Sequence, residues 1–167
     1  NLLMAASLAQ GTTILRNAAC EPEVVALAEY LGKMGARIQG AGTEEITIEG
    51  VSELTPATHE VIPDRIELST YLVAAGITHG HLRLTRCRPE HVEAVIRKLQ
   101  MTGLKMKVRK QAIEAWGSGA IQSADMKTWP YPGFPTDMQA QFMALMSLSN
   151  GVSLITEQIF EKRYMHV

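Results

Sequence analysis

Three stretches of the chain share one template. Leu8-Ala9-Gln10-Gly11-Thr12-Thr13-Ile14-Leu15 matches Ile77-Thr78-His79-Gly80-His81-Leu82-Arg83-Leu84, and both match Leu148-Ser149-Asn150-Gly151-Val152-Ser153-Leu154-Ile155. The three glycines stand 69 and 71 residues apart. Each follows an apolar helical run (Leu2 to Leu8, Leu72 to Ile77, Phe142 to Leu148) and precedes an alternating, strand-like segment. A glycine at such a helix end is expected at the C′ position in the left-handed conformation.

The first two copies agree further downstream. Glu21-Pro22-Glu23 answers Arg88-Pro89-Glu90, and proline at a first helical position, with acid beside it, starts a helix. Val24, Leu27, Ala28, Leu31 and Met34 then fall on one helical face, with Val92, Val95, Ile96 and Leu99 as their counterpart. Gly35 and Gly103 end these helices. Arg37–Gln39 and Glu45–Glu49 alternate as strands around a Gly40-Ala41-Gly42 turn, and Lys105–Val108 with Ala112–Ala115 repeat the pattern. The unit is therefore helix, strand, helix, strand, strand, over about 70 residues. That is too long for a solenoid repeat and suits a pseudosymmetric α/β domain.

The repeat also frames the ends of the chain. Asn1 falls inside a helix of the template, and Val167 falls in the segment corresponding to the second helix of a unit. The expectation is a piece of a longer protein. Gly117 to Phe134, with Trp129-Pro130-Tyr131-Pro132-Gly133, is expected as a loop, and its length points to function. Composition narrows the classes. Charged residues are 20% and hydrophobic residues 46%, as in an ordinary globular domain. The net charge of -1 gives no footprint for nucleic acid. No apolar run approaches the roughly 18 residues of a membrane span. With no basic leader and no disulfide pattern from Cys20 and Cys87, a cytoplasmic setting is expected.

Few residues suggest chemistry by spacing alone. Thr136 and Gln139 have capping-box spacing, so Thr136 is expected as N-cap and Asp137 as the first helical residue. Asp137 there either helps the helix start or stands as an anion at the positive end of the helix dipole. His79 and His81 flank a turn without an acidic companion, and are expected as solvated histidines with no metal. Cys20 and Cys87 precede helix starts, where a thiol pKa can fall; packing is the alternative reading. Met138, Met143 and Met146 read as core filler. Arg65 and Arg163 are each open to two readings, an anion ligand or a surface ion pair.

Phe134-Pro135-Thr136-Asp137-Met138-Gln139-Ala140-Gln141 resembles the UDP-N-acetylglucosamine enolpyruvyl transferases (UDP-N-acetylglucosamine 1-carboxyvinyltransferases). So does Ile155-Thr156-Glu157-Gln158-Ile159-Phe160-Glu161-Lys162-Arg163-Tyr164-Met165-His166-Val167. Asn1–Ala6, Glu21-Pro22-Glu23 and Pro63–Glu67 match as well, so the resemblance runs the length of the chain. It implies an α/β fold of two similar domains. Each is a pseudo-threefold inside-out α/β barrel, incomplete in this chain. Residues 1–61 would be the last unit of the first domain, and 62–167 about two-thirds of the second. The Val61–Asp64 stretch would be the crossing between them.

The implied reaction moves the enolpyruvyl group of phosphoenolpyruvate to the 3′-hydroxyl of UDP-N-acetylglucosamine, the first committed step of peptidoglycan synthesis. The resemblance makes Asp137 the sugar-contacting carboxylate and proton acceptor. It puts Ile159 beside the sugar nucleotide through its backbone. Thr136, Phe160, Arg163 and Arg65 are weaker substrate-binding candidates. No cofactor, metal, nucleic acid or membrane partner is expected. The family's catalytic cysteine loop, Lys-Asn pair and phosphate-binding arginines have no counterpart here, and neither Cys20 nor Cys87 lies in that loop. The piece alone is expected to be inactive. Two other readings are the shikimate-pathway enolpyruvyl transferase, against which the two C-terminal motifs argue, and a non-catalytic α/β repeat module.

Overall fold

The structure is a computed structural model that describes residues 1–117 and 119–167. It divides into two compact units, Asn1–Ile62 and Pro63–Val167.

In the first unit the order is α1 (Leu2–Ala6), β1 (Thr12–Arg16), α2 (Pro22–Lys33), β2 (Arg37–Gln39) and β3 (Glu45–Glu49). The strands form an antiparallel sheet in the order β1-β3-β2. Alternation decides its faces, because successive side chains on a strand point to opposite sides. Ile46 and Ile48 of β3 are buried with Leu3, Ala6, Ala28, Leu31 and Ala36, so α1 and α2 cover one face. On β3's other face Glu45 and Glu49 pair with Arg16 at 3.2 Å and Arg37 at 3.5 Å. The Val24–Met34 stripe packs on this core as its spacing predicts.

The second unit repeats the order: α3 (Arg65–Ile77), β4 (His81–Thr85), a 3-10 turn at Pro89–Val92, α4 (Glu93–Met101), β5 (Lys105–Arg109) and β6 (Ala112–Trp116). Its sheet, β4-β6-β5, has the same antiparallel topology as the first. Pro89 thus opens a 3-10 turn, and the α-helix starts four residues later. Asp64 caps α3, its Oδ1 accepting from the N–H groups of Ile66 (2.7 Å) and Glu67 (3.1 Å). Leu72, Val95, Leu99, Ile113, Met138, Phe142 and Leu145 form the centre of a second core.

Helix ends depart from expectation in an instructive way. Gly35 and Gly103 sit at C′ with φ of 105° and 93°. The following N–H groups, of Ala36 and Leu104, bond the carbonyls of Leu31 (2.9 Å) and Leu99 (3.3 Å), which is the Schellman pattern. At the end of α3 the left-handed residue is His79, with φ of 52°, and Gly80 takes the next place, donating to Ala75 at 3.0 Å. Gly11 and Gly151 do have positive φ, but α1 and α5 have already ended at Ala6 and Met146. The shared template therefore marks a common turn into the strand, and only loosely the helix end itself.

The third copy also differs. Gly117–Phe134 is expected as a loop, yet it contains β7 (Met126–Lys127), which pairs in parallel with β8 (Ile155–Thr156) after α5 (Gln139–Met146). Backbone bonds from Asn150 to Ile121, from Met126 to Leu154 and from Thr128 to Thr156, each 2.9 Å, zip the two segments together. A strand two residues long, paired only with a distant segment, has no alternation to read.

Candidate functional site

Three segments of the second unit meet around one carboxylate. They are β7 with Thr128, the 3-10 turn Thr136–Met138 that leads into α5, and the stretch from β8 to Val167. Glu157 stands among them. Its Oε1 accepts from the Thr128 hydroxyl (2.9 Å), the Ile159 N–H (2.8 Å) and the Phe160 N–H (3.2 Å). Its Oε2 accepts from the Thr136 hydroxyl at 2.9 Å. Burial opposes the charge on this carboxyl. The bonds from Ile159, Thr136, Thr128 and Phe160 outweigh burial and hold its pKa below the ordinary glutamate value.

The expected capping box does not form. Thr136 lies in a 3-10 turn whose N-cap is Pro135, and α5 begins at Gln139 without a side-chain cap. The Thr136 hydroxyl donates to Glu157 and accepts from Arg163 Nη1 at 2.9 Å. Gln139 is buried and donates to the Arg163 carbonyl at 3.3 Å. Both residues serve the tertiary site, because a half-buried carboxylate and a nearby guanidinium offer the threonine hydroxyl stronger, charge-assisted partners.

Arg163 completes the arrangement. Its Nη2 lies 2.8 Å from Asp137 Oδ1, while the same guanidinium sits 5.2 Å from the Phe160 ring centroid. Asp137 remains 55% exposed, and among the described residues no hydrogen bond reaches its Oδ2. Tyr164 closes the stretch behind it, its hydroxyl accepting from the Glu157 N–H (2.8 Å) and donating to the Ile155 carbonyl (3.1 Å). Asp137, Phe160, Glu161, Lys162, Arg163, Met165 and His166 line an open cleft. A fixed carboxylate with one free oxygen, beside cations and an exposed aromatic ring, suits a polar ligand carrying hydroxyls and negative charge.

Of the residues singled out from sequence, Thr136, Asp137, Ile159, Phe160 and Arg163 come together here. The Ile159 N–H donates to Glu157 Oε1, so that N–H is not open to a ligand. Arg65 lies elsewhere, at the start of α3, with its guanidinium 5.7 Å from the Tyr131 ring centroid. Cys87 is buried, and burial pushes its thiol pKa up, the opposite of an activated nucleophile; Cys20 is half-buried with its Sγ 3.6 Å from the Ala18 carbonyl. His81 is on β4, 3.0 Å from Glu114 and stacked on Trp116, and only His79 is a turn residue. Met138 and Met146 are core residues. Glu157 and Thr128 were not legible as site residues. One signal exists for Glu157: a carboxylate two and three residues ahead of free N–H groups is the pattern of a local side-chain turn.

Residues 1–167 as a whole match the family described as EPSP synthase (3-phosphoshikimate 1-carboxyvinyltransferase). The chain belongs to this family. Within it, the chain is 56% identical over 167 residues to the UDP-N-acetylglucosamine 1-carboxyvinyltransferase of Desulfosudis oleivorans, covering all of this chain and 40% of that protein. The protein of the same name from Bdellovibrio bacteriovorus is 53% identical over the same span, again 40% of its length. The chain thus spans about 40% of the curated relatives it matches. In three dimensions it is similar to the crystal structure of the enolpyruvyl transferase NikO from Streptomyces tendae, with a TM-score of 0.84 at 24% identity, over 98% of this chain and 39% of that one. The fold is therefore the repeated α/β architecture of the EPSP synthase family, present in part.

Proposed function

We propose that these residues are part of a longer enolpyruvyl transferase of the cytoplasm. It moves the enolpyruvyl group of phosphoenolpyruvate onto the 3′-hydroxyl of UDP-N-acetylglucosamine and releases phosphate, as the first committed step of peptidoglycan synthesis. The carrying observation is the identity of 53–56%, along the whole chain, with proteins named for that activity. The family description names a shikimate substrate, but these relatives favour the sugar nucleotide over it.

In this reading Asn1–Ile62 is the last α/β unit of one domain and Pro63–Val167 about two-thirds of the next. The sugar hydroxyl donates to Asp137 Oδ2. Arg163 holds the carboxylate in place through Oδ1, so the base is oriented before the substrate arrives. As the sugar oxygen bonds to the enolpyruvyl carbon, Asp137 accepts the hydroxyl proton, and the carbon–oxygen bond to phosphate breaks. The Ile159 carbonyl and the Phe160 ring contact the nucleotide side. The remaining groups that act on phosphoenolpyruvate belong to other parts of the protein, so residues 1–167 alone are inactive.

The test uses the full-length protein with both substrates. Phosphate release with UDP-N-acetylglucosamine, and none with shikimate 3-phosphate, is expected. Asp137→Ala should lower kcat by about 100-fold or more, the usual range for removing a general base. Full turnover in Asp137→Ala, or no calorimetric binding of UDP-N-acetylglucosamine, would overturn the assignment.

A further inference from the structure

The carboxylate at the middle of the cluster faces no substrate in the reading above, yet hydrogen bonds engage both of its oxygens. Four donors from three separate segments meet at Glu157. They divide by oxygen. Oε1 gathers Thr128 and the turn amides of Ile159 and Phe160, which shapes the backbone of that turn. Oε2 takes only the Thr136 hydroxyl proton. With that proton directed at Glu157, the lone pairs of Thr136 Oγ1 face Arg163 Nη1, and the other arm of the guanidinium reaches Asp137.

The geometry points to Glu157 as the positioning residue of this site, setting Arg163 against Asp137 through Thr136 and presenting the Ile159–Phe160 turn. This rests on the function proposed above. The lowered pKa of Glu157 agrees, since it keeps the carboxylate an acceptor on both oxygens at neutral pH. An amide in its place retains one acceptor oxygen but turns the other end into a donor. That donor competes with Arg163 for the lone pairs of Thr136 and leaves the threonine proton without its acceptor. Arg163 then loses its registration on Asp137, while no atom that touches substrate is deleted.

The experiment uses the full-length protein with phosphoenolpyruvate and UDP-N-acetylglucosamine, and compares Glu157→Gln, Thr136→Val, Arg163→Ala and their pairs. Glu157→Gln is expected to lower kcat/KM for the sugar nucleotide about 10- to 100-fold, the scale of a small misplacement of a catalytic group. The KM for phosphoenolpyruvate should stay unchanged. Thr136→Val leaves the Oε1 bonds intact and should reproduce a large share of the loss. In the Arg163→Ala background Glu157→Gln should cost little more, because the path through which it acts is already cut. Fully additive losses, or a loss in the active fraction alone with KM unchanged, would reduce Glu157 to a structural role and overturn the proposal. If Glu157→Gln does not fold, Thr136→Val with Arg163→Ala carries the same test of coupling. Should Asp137→Ala and Arg163→Ala both turn over normally, the functional reading itself fails. Should they be impaired while Glu157→Gln and Thr136→Val are not, only the positioning role fails.

Discussion

Glu157 shows how one side chain ties an acid-sensitive element into the fold. Its carboxyl pKa is lowered in the folded chain: burial alone would raise it, and the Ile159, Thr136, Thr128 and Phe160 donors more than offset that. A depressed carboxyl contributes stability that is fully present above its unfolded value, near 4.3, and that is lost as pH falls through the folded value. The neighbours that share its charge balance are Arg163 and, through it, Asp137. Wild type should therefore melt above Glu157→Gln at neutral pH, and the gap should narrow as pH drops below about 4. Thermal melts of the two proteins across pH 3–7 check this, and a gap that persists unchanged in acid would contradict it. The same residue explains why much of the site was illegible in the sequence. Thr128, Thr136, Glu157 and Arg163 are drawn together across separations of 21 to 29 residues. No periodicity encodes such a meeting. The local signal at Thr136 pointed to a helix cap, and a charged tertiary partner won the hydroxyl instead. Spacing alone left Asp137 and Arg163 with two readings each, and their 2.8 Å contact is a tertiary fact.

At the scale of elements, the parts that were legible are those whose partners are near in sequence. The β2–β3 and β5–β6 hairpins join strands across a few residues, and their turns and alternation sit in the same window. The α2 and α4 stripes likewise need only a 3.6-residue period to be seen. The β7–β8 pair is the opposite case, since neither two-residue strand carries a pattern of its own. Helix ends fall between, and here the end of α3 makes a test. His79 holds φ of 52° where α2 and α4 place glycine. It is exposed, and the Schellman bond runs through the backbone of Gly80. A side chain in the left-handed region costs roughly 1 to 2 kcal/mol, and glycine returns part of that gain through its more mobile unfolded chain. His79→Gly should thus raise stability by about 0.5 to 1 kcal/mol, read as a higher midpoint in urea unfolding. An unchanged or lower midpoint would mean that the histidine side chain contributes a contact worth as much as the strain.

Over the whole molecule, the described residues bury their apolar side chains in two clusters, one drawn from each unit. The first copy, with its own helices and hairpin, forms one of these clusters by itself. The third copy instead contributes Met138, Phe142 and Leu145 to the same cluster as Leu72 and Ile113 of the second copy, a sharing that the repeat pattern does not encode. That sharing links the site to the core. The turn bearing Asp137 ends at Met138, which is fully buried, so packing beneath α5 fixes where the carboxylate stands. Leu72 is the probe of this arrangement: it is fully buried in α3, a helix that packs against α5, β4 and β6. Leu72→Ala removes that side chain and leaves a cavity, which costs about 2 to 5 kcal/mol for a leucine that its surroundings cannot replace. If copies two and three share one cooperative core, hydrogen exchange in the full-length protein should speed up by a similar factor in peptides of α3, α5 and β6. Loss of protection confined to α3 would show instead that the third copy opens by itself. In that event the Asp137 turn would be held by the Glu157 cluster alone, and Glu157→Gln would loosen α5 more than Leu72→Ala does.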